Sequence, residues 1–156
     1  MKAAKSAGLV GTLLLVVSAA MLMTAGPAQA EVSCHKINAK GVGQDLGGGM
    51  TEAQIIGGGL LQGTTEAAFV ITADTPPAFP FEGTVTFTTK KATLTVTITG
   101  TFDVSTGNFA ASGPVSGATG KLAGATGTLT FEGTQDLSTG VFTEDVTGLI
   151  CVDLAP

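Results

Sequence analysis

The sequence predicts an all-β chain, a single antiparallel eight-stranded meander barrel with its termini tied by a disulfide, on three observations. A turn is repeated: Gly-Thr-Phe-Asp-Val-Ser-Thr-Gly-Asn-Phe over 100–109 returns as Gly-Thr-Gln-Asp-Leu-Ser-Thr-Gly-Val-Phe over 133–142. Each copy places Asp, Ser, Thr and Gly, which cap turns or tolerate positive φ, between alternating runs, so each reads as a hairpin connection. Apolar and polar residues alternate with period two over 84–88 and 93–99, and no helical period follows the first thirty residues. Finally, one cysteine lies near each end of the remaining chain, Cys34 and Cys151.

Residues 1–30 have the pattern of a secretory signal peptide. Lys2 and Lys5 form a charged start, an apolar run covers 9–23, and Ala28-Gln29-Ala30 is a small-residue cleavage site that leaves Glu31 first. The apolar run is shorter than the ~20 residues that span a bilayer, so a retained anchor fits less well. Val32 and Ser33 before Cys34 do not form a lipidation signal. The expected location is secreted or periplasmic, without stable membrane insertion after cleavage.

Loss of Lys2 and Lys5 takes the net charge from −5 to −7, and the chain has no Arg. Clustered cations drive phosphate-backbone binding, so nucleic acid is not an expected partner. The one adjacent pair, Lys90-Lys91, reads as a solvated edge beside a turn. Apolar residues make up 44% of the sequence, enough to drive one compact domain over 31–156.

Within that domain the expected strands are 32–40, 51–58, 60–73, 83–90, 92–103, 107–113, 126–134 and 140–154. That number closes a small barrel with a filled or narrow interior. Gly57-Gly58-Gly59 and Gly63 are read as bulges or barrel corners that interrupt strands without ending the domain. Ile150, Val152 and Leu154 share one face of the last strand, which turns Cys151 outward, and Cys34 turns outward from the first strand with Lys36. First and last strands are neighbours in a closed sheet, so the two thiols pair as a structural disulfide in an oxidising compartment. The only histidine, His35, is next in sequence on the opposite strand face, which makes it a poor catalytic partner for Cys34.

The segment Gly117-Ala118-Thr119-Gly120-Lys121-Leu122-Ala123-Gly124-Ala125-Thr126-Gly127-Thr128-Leu129 resembles the glycine-rich turn of the allene oxide cyclase barrel-like superfamily, which includes plant dirigent proteins. The strands before it, from Thr84 to Phe109, and the closing strand from Val146 to Leu154 fall in the order that resemblance implies. The N-terminal half matches by strand count only. The implied fold is an eight-stranded antiparallel barrel whose interior holds a hydrophobic small molecule. The family works with interior polar and aromatic residues, Tyr prominent among them. This chain has neither Tyr nor Arg, so no catalytic residue is carried over.

Several motifs have simpler readings than the chemistry they suggest. Gly120-Lys121 lacks a phosphate loop's spacing, since Val115 stands where its first Gly belongs and Leu122 where its Ser or Thr belongs. Asp103 and Asp136 lack the alternating oxygen ligands of a calcium loop and read as turn caps; no metal or cofactor is expected. The Thr rows at 84, 86, 88, 93, 95, 97 and 99 suit an outward strand face, with an ordered hydroxyl array for carbohydrate or ice as the alternative. Pro76-Pro77-Ala78-Phe79-Pro80-Phe81-Glu82 is the loop of unusual content, and Phe79, Phe81 and Glu82 are the ligand-site candidates, the two rings as a lid over a barrel mouth. Glu52, Glu66, Glu132 and Glu144 lie on strands among apolar neighbours. Any one of them facing inward alone would have a raised pKa and be the first acid-base candidate.

The functional expectation is therefore a non-enzymatic binder of a small hydrophobic compound or an envelope-associated structural module. The alternative is a cyclase or isomerase that works by confinement with one buried carboxylate.

Overall fold

Along the strands, buried apolar or small side chains alternate with exposed ones that are mainly polar, although Val42, Ile56, Val70, Val141 and Leu149 are exposed, and the buried set turns to one side, where only a closed wall can cover it. The structure is a computed structural model that describes residues 32–153. Its strands are β1 (Ser33–Gly47), β2 (Met50–Gly57), β3 (Gly63–Ile71), β4 (Ala78–Thr88), β5 (Thr93–Asp103), β6 (Asn108–Ala118), β7 (Thr126–Gln135) and β8 (Val141–Val152). Each pairs antiparallel with the next, and β8 returns to β1, which closes the barrel. The closing ladder runs from Ser33 opposite Val152 to Gln44 opposite Val141.

Cys34 and Cys151 face each other in that ladder and form the disulfide, with S–S 2.02 Å and a sequence separation of 117. The signal-peptide and cleavage-site expectations, Glu31 and Leu154 lie outside the described residues. Among the described residues no helix is long and apolar enough to cross a membrane.

The expected strands all exist, with corrected bounds. The break expected between 58 and 60 falls where β2 ends: Gly57, Gly58 and Gly59 all have positive φ and lead into a 3-10 turn over Gly59–Leu61, so β3 begins at Gly63 and not at 60. The first strand runs on to Gly47, and β6 runs on to Ala118, past a register shift opposite Thr95 and Val96. The proposed 76–82 lid is also corrected. Residues from Ala78 onward belong to β4, paired from Ala78 opposite Asp103, because the alternation of Phe79, Phe81, Val85 and Phe87 continues one inward face.

The barrel's two ends differ. At one end, Leu61 from the Gly59–Leu61 turn and Leu122 from a second 3-10 turn (Gly120–Leu122) plug the bore above Ile37, Phe87, Leu94, Leu129 and Ile150, all fully buried. The other end carries the β1–β2, β5–β6 and β7–β8 hairpins, and the last two are the repeated turns. Asp103 Oδ1 accepts bonds from the Ser105 N–H (2.8 Å), the Ser105 hydroxyl (2.6 Å) and the Thr106 N–H (3.3 Å). Asp136 Oδ1 accepts the same three from Ser138 and Thr139, at 2.8, 2.6 and 3.2 Å. In both, the Ser hydroxyl and then the Ser N–H hold the carboxyl below its ordinary pKa. These oxygens serve the turn, as the capping reading expects.

Each repeated turn ends in a left-handed Gly that rests on the next strand round the wall. Gly107 has φ 76, and a Cβ there would lie 2.1 Å from the Gln135 carbonyl oxygen of β7. Gly48 has φ 65 but nothing within 4 Å of its would-be Cβ. Gly48→Ala should thus lose only the left-handed backbone term, about 1 kcal/mol. Gly107→Ala adds a backbone clash and should lose at least about 2 kcal/mol. Urea midpoints of the two variants check this, and equal losses would contradict the docking of the turn on β7.

Candidate functional site

The interior of the hairpin end is lined by rings. Phe69, Phe81, Phe102, Phe109, Phe131 and Phe142, six of the eight phenylalanines, surround a cavity of about 150 Å³. Phe69 and Phe81 are tilted at 5.3 Å between ring centres, and Phe109 meets Phe142 edge-on at 5.8 Å and 84°. Such offset and edge-to-face contacts are the favourable arrangements of aromatic pairs.

One charged group enters this apolar space from the wall. On β8 the inward positions are Phe142, Glu144, Val146, Gly148, Ile150 and Val152, so parity alone sends Glu144 into the bore. Its register partners on both sides are glycines, Gly41 of β1 and Gly133 of β7. A Cβ at Gly41 would lie 2.6 Å from both Cγ and Oε1 of Glu144, so the absence of a side chain there makes the slot the carboxylate occupies. At Gly133 the missing side chain leaves room for the Phe109 ring, 2.4 Å from a would-be Cβ.

Among the described residues no hydrogen bond or ion pair reaches the Glu144 carboxylate, and its oxygens are not sealed off but border the cavity. Burial alone pushes its pKa from the ordinary 4.5 up to about 7. The other acid in the lining, Asp45, is already occupied: Oδ2 accepts from Gln135 Nε2 (3.0 Å) and Oδ1 from the Gly47 N–H (2.7 Å). Among the described residues no Lys, Arg or His lines the cavity. Glu144 therefore can hold a proton near neutral pH, or hold a charge that only a ligand can neutralise.

Of the three sequence candidates, Phe81 lines the cavity, Phe79 is half-buried opposite Phe102, and Glu82 is exposed on the outer wall opposite Thr99. Glu52, Glu66 and Glu132 also point outward and are exposed. The other five rings of the lining are not among those candidates, although strand parity marks each of them as inward.

Two outer features complete the surface. Lys90, Lys91 and Lys121 border a groove at the plugged end, where the Lys121 N–H donates to the Lys91 carbonyl oxygen (3.1 Å) and the 120–122 turn packs on the β4–β5 connection. The Thr rows pair across β4 and β5, with Thr86 Oγ1 3.4 Å from Thr95 Oγ1, on the convex side of a wall that closes on itself. That curvature departs from the planar lattice an ordered hydroxyl array needs. Among the described residues no group of three or more His, Cys, Asp or Glu is placed to hold a metal ion.

Comparison with protein-family models, with curated proteins and with solved structures finds no match for this chain.

Proposed function

We propose that this chain is an exported barrel that binds a small, largely apolar molecule in its phenylalanine-lined cavity, without catalysing a reaction on it. The observation that carries the reading is the division of the bore. One half is filled by Leu, Ile and Phe87, whereas the other keeps about 150 Å³ open among six rings. A dry apolar cavity of about that size holds one benzene-sized molecule, and pockets for drug-sized ligands are about two or more times larger. The ligand is thus a compact, monocyclic-sized compound and not a long acyl chain. The leader-like start, the disulfide and an outer wall that is mainly polar, with exposed apolar side chains such as Val42, Ile56, Val70 and Leu149 interspersed, favour an exported, water-facing barrel over one embedded in lipid, which would carry a continuous apolar band outside. The likeness of residues 117–129 to the allene oxide cyclase barrel-like superfamily supports the same reading, since an interior site for a hydrophobic molecule is what that likeness implies.

The test is thermal melting of the chain from Glu31 with simple phenols, monocyclic terpenoids and short-chain fatty acids. A ligand at one hundred times its Kd stabilises by about 2.7 kcal/mol, a rise of several degrees. A flat response across the panel contradicts the binding role.

The position of Glu144 favours a second reading, a proton-transfer isomerase or cyclase in which the cavity confines the substrate and this carboxyl moves the proton. Turnover of a bound compound by the native chain, lost in Glu144→Gln, would select it over simple binding.

A further inference from the structure

We propose that the cavity recognises a compact organic cation, a methylated ammonium group, with the Glu144 carboxylate as its counter-charge and the faces of the surrounding phenylalanines as its cage. This rests on the binding role of the cavity and names the chemical class that fills it.

Three observations converge. The first is charge. The lining holds two carboxyls and no cationic side chain, and the one not already hydrogen-bonded, Glu144, borders the empty space without a partner among the described residues. A neutral ligand would leave that carboxylate uncompensated, whereas a cation supplies what a buried anion lacks. The second is the wall. Ring faces attract cations within about 6 Å of the ring centre, and quaternary ammonium ions are the ligands that aromatic cages select. Phe142 precedes Glu144 by two residues on the same face of β8, and Phe109 stands one strand beyond Gly133, so this edge-to-face pair flanks the carboxylate. The third is space. Glu144 is seated over Gly41 and the Phe109 ring over Gly133, and the cavity of about 150 Å³ that both line suits a group of a few methyls around one nitrogen.

Binding of this kind depends on pH through Glu144. From β1 the side facing it presents Gly41, Gly43 and Asp45, and from β7 Phe131, Gly133 and Gln135. Strands β2 to β6 contribute only Thr, Ala, Val, Ile and Phe to the lining. Asp45 is thus the only other titratable group, and it is held by Gln135 and the Gly47 amide. A cation favours the ionised carboxylate, so affinity falls as pH drops through the pKa of Glu144.

The experiment compares choline with its neutral isostere 3,3-dimethylbutan-1-ol, in which carbon replaces the charged nitrogen, by calorimetric titration and ring-proton NMR at pH 8 and pH 5. Native protein should bind choline at least about tenfold more tightly than the isostere at pH 8, with most of that preference gone at pH 5. Glu144→Gln should abolish the preference while keeping affinity for the isostere. Equal affinity for the two compounds in native protein at pH 8 overturns the cation site and leaves the apolar binding role standing. Binding of neither, with no response to phenol or toluene, overturns both. Because the decisive comparison uses native protein, it does not depend on the variant's folding.

Discussion

Replacing both cysteines, Cys34→Ser with Cys151→Ser, lowers stability by about 4 kcal/mol and the melting temperature by more than about 10 °C. The bridge spans 117 residues, so in the chain-entropy account it removes about 4 to 5 kcal/mol of freedom from the unfolded chain. The native barrel itself persists without it, because β1 and β8 remain joined along their whole ladder from Ser33–Val152 to Gln44–Val141. The loss is consequently one of stability and not of architecture. Native protein melted in strong reductant should match the double variant. A decrease below about 1 kcal/mol, or a far-ultraviolet spectrum unlike that of the oxidised protein below the melt, contradicts this account.

The second large effect is an inverted pH profile. A carboxyl whose pKa is raised on folding favours the protonated native state, so its stabilising contribution is complete below the unfolded value of 4.5 and is lost as pH rises to about 7. The shift corresponds to about 3 kcal/mol, and the protein should be more stable at pH 5 than at pH 8 by up to that amount. Asp103 and Asp136 act in the opposite direction. Their lowered values contribute stability above 3.8 that disappears in stronger acid, so the profile turns over below about pH 4. Glu144→Gln should flatten the profile between pH 5 and 8 and exceed the native protein in stability at pH 8. Denaturant melts at the two pH values test this. A native protein equally stable at both, or a variant with the native pH dependence, places Glu144 in water and not in the bore.

Much of this molecule is legible in its sequence because a barrel wall obeys a period of two. Parity placed the disulfide correctly: outward Cys34 and Cys151 on the first and last strands become partners once the sheet closes. The repeated Asp-x-Ser-Thr-Gly turns were legible for the same local reason, since the Asp side chain bonds the amides two and three residues on. Glu144 was within reach of the same argument. Ile150 and Val152 fix even-numbered residues of β8 as inward, whereas Ala53 and Ile55, Thr65 and Ala67, and Leu129 and Phe131 turn Glu52, Glu66 and Glu132 outward.

Other parts depend on contacts that sequence spacing does not encode. Pro76, Pro77 and Pro80 disguised the start of β4 as a loop, because the proline signal for a break outweighed the alternation of Phe79 and Phe81. The break at Gly57, Gly58 and Gly59 was legible, but the 3-10 turn that follows, which buries Leu61 as a plug, was read as the start of the next strand. The cavity is the least legible feature. It is lined by six rings from six different strands, with Phe142 seated over Gly43, Phe81 over Gly100 and Phe109 over Gly133, and that coincidence of register appears only when the wall is closed.

The central claim is a buried glutamate carboxyl facing an aromatic cavity without a hydrogen-bond partner among the described residues, and carbon-13 NMR titration of protein labelled at the glutamate side-chain carboxyls measures it directly. The account predicts one resonance that titrates near pH 7, disappears in Glu144→Gln and shifts when a ligand enters the cavity. If no glutamate carboxyl titrates above about pH 6, or the one that does survives the substitution, the site described here does not exist in solution.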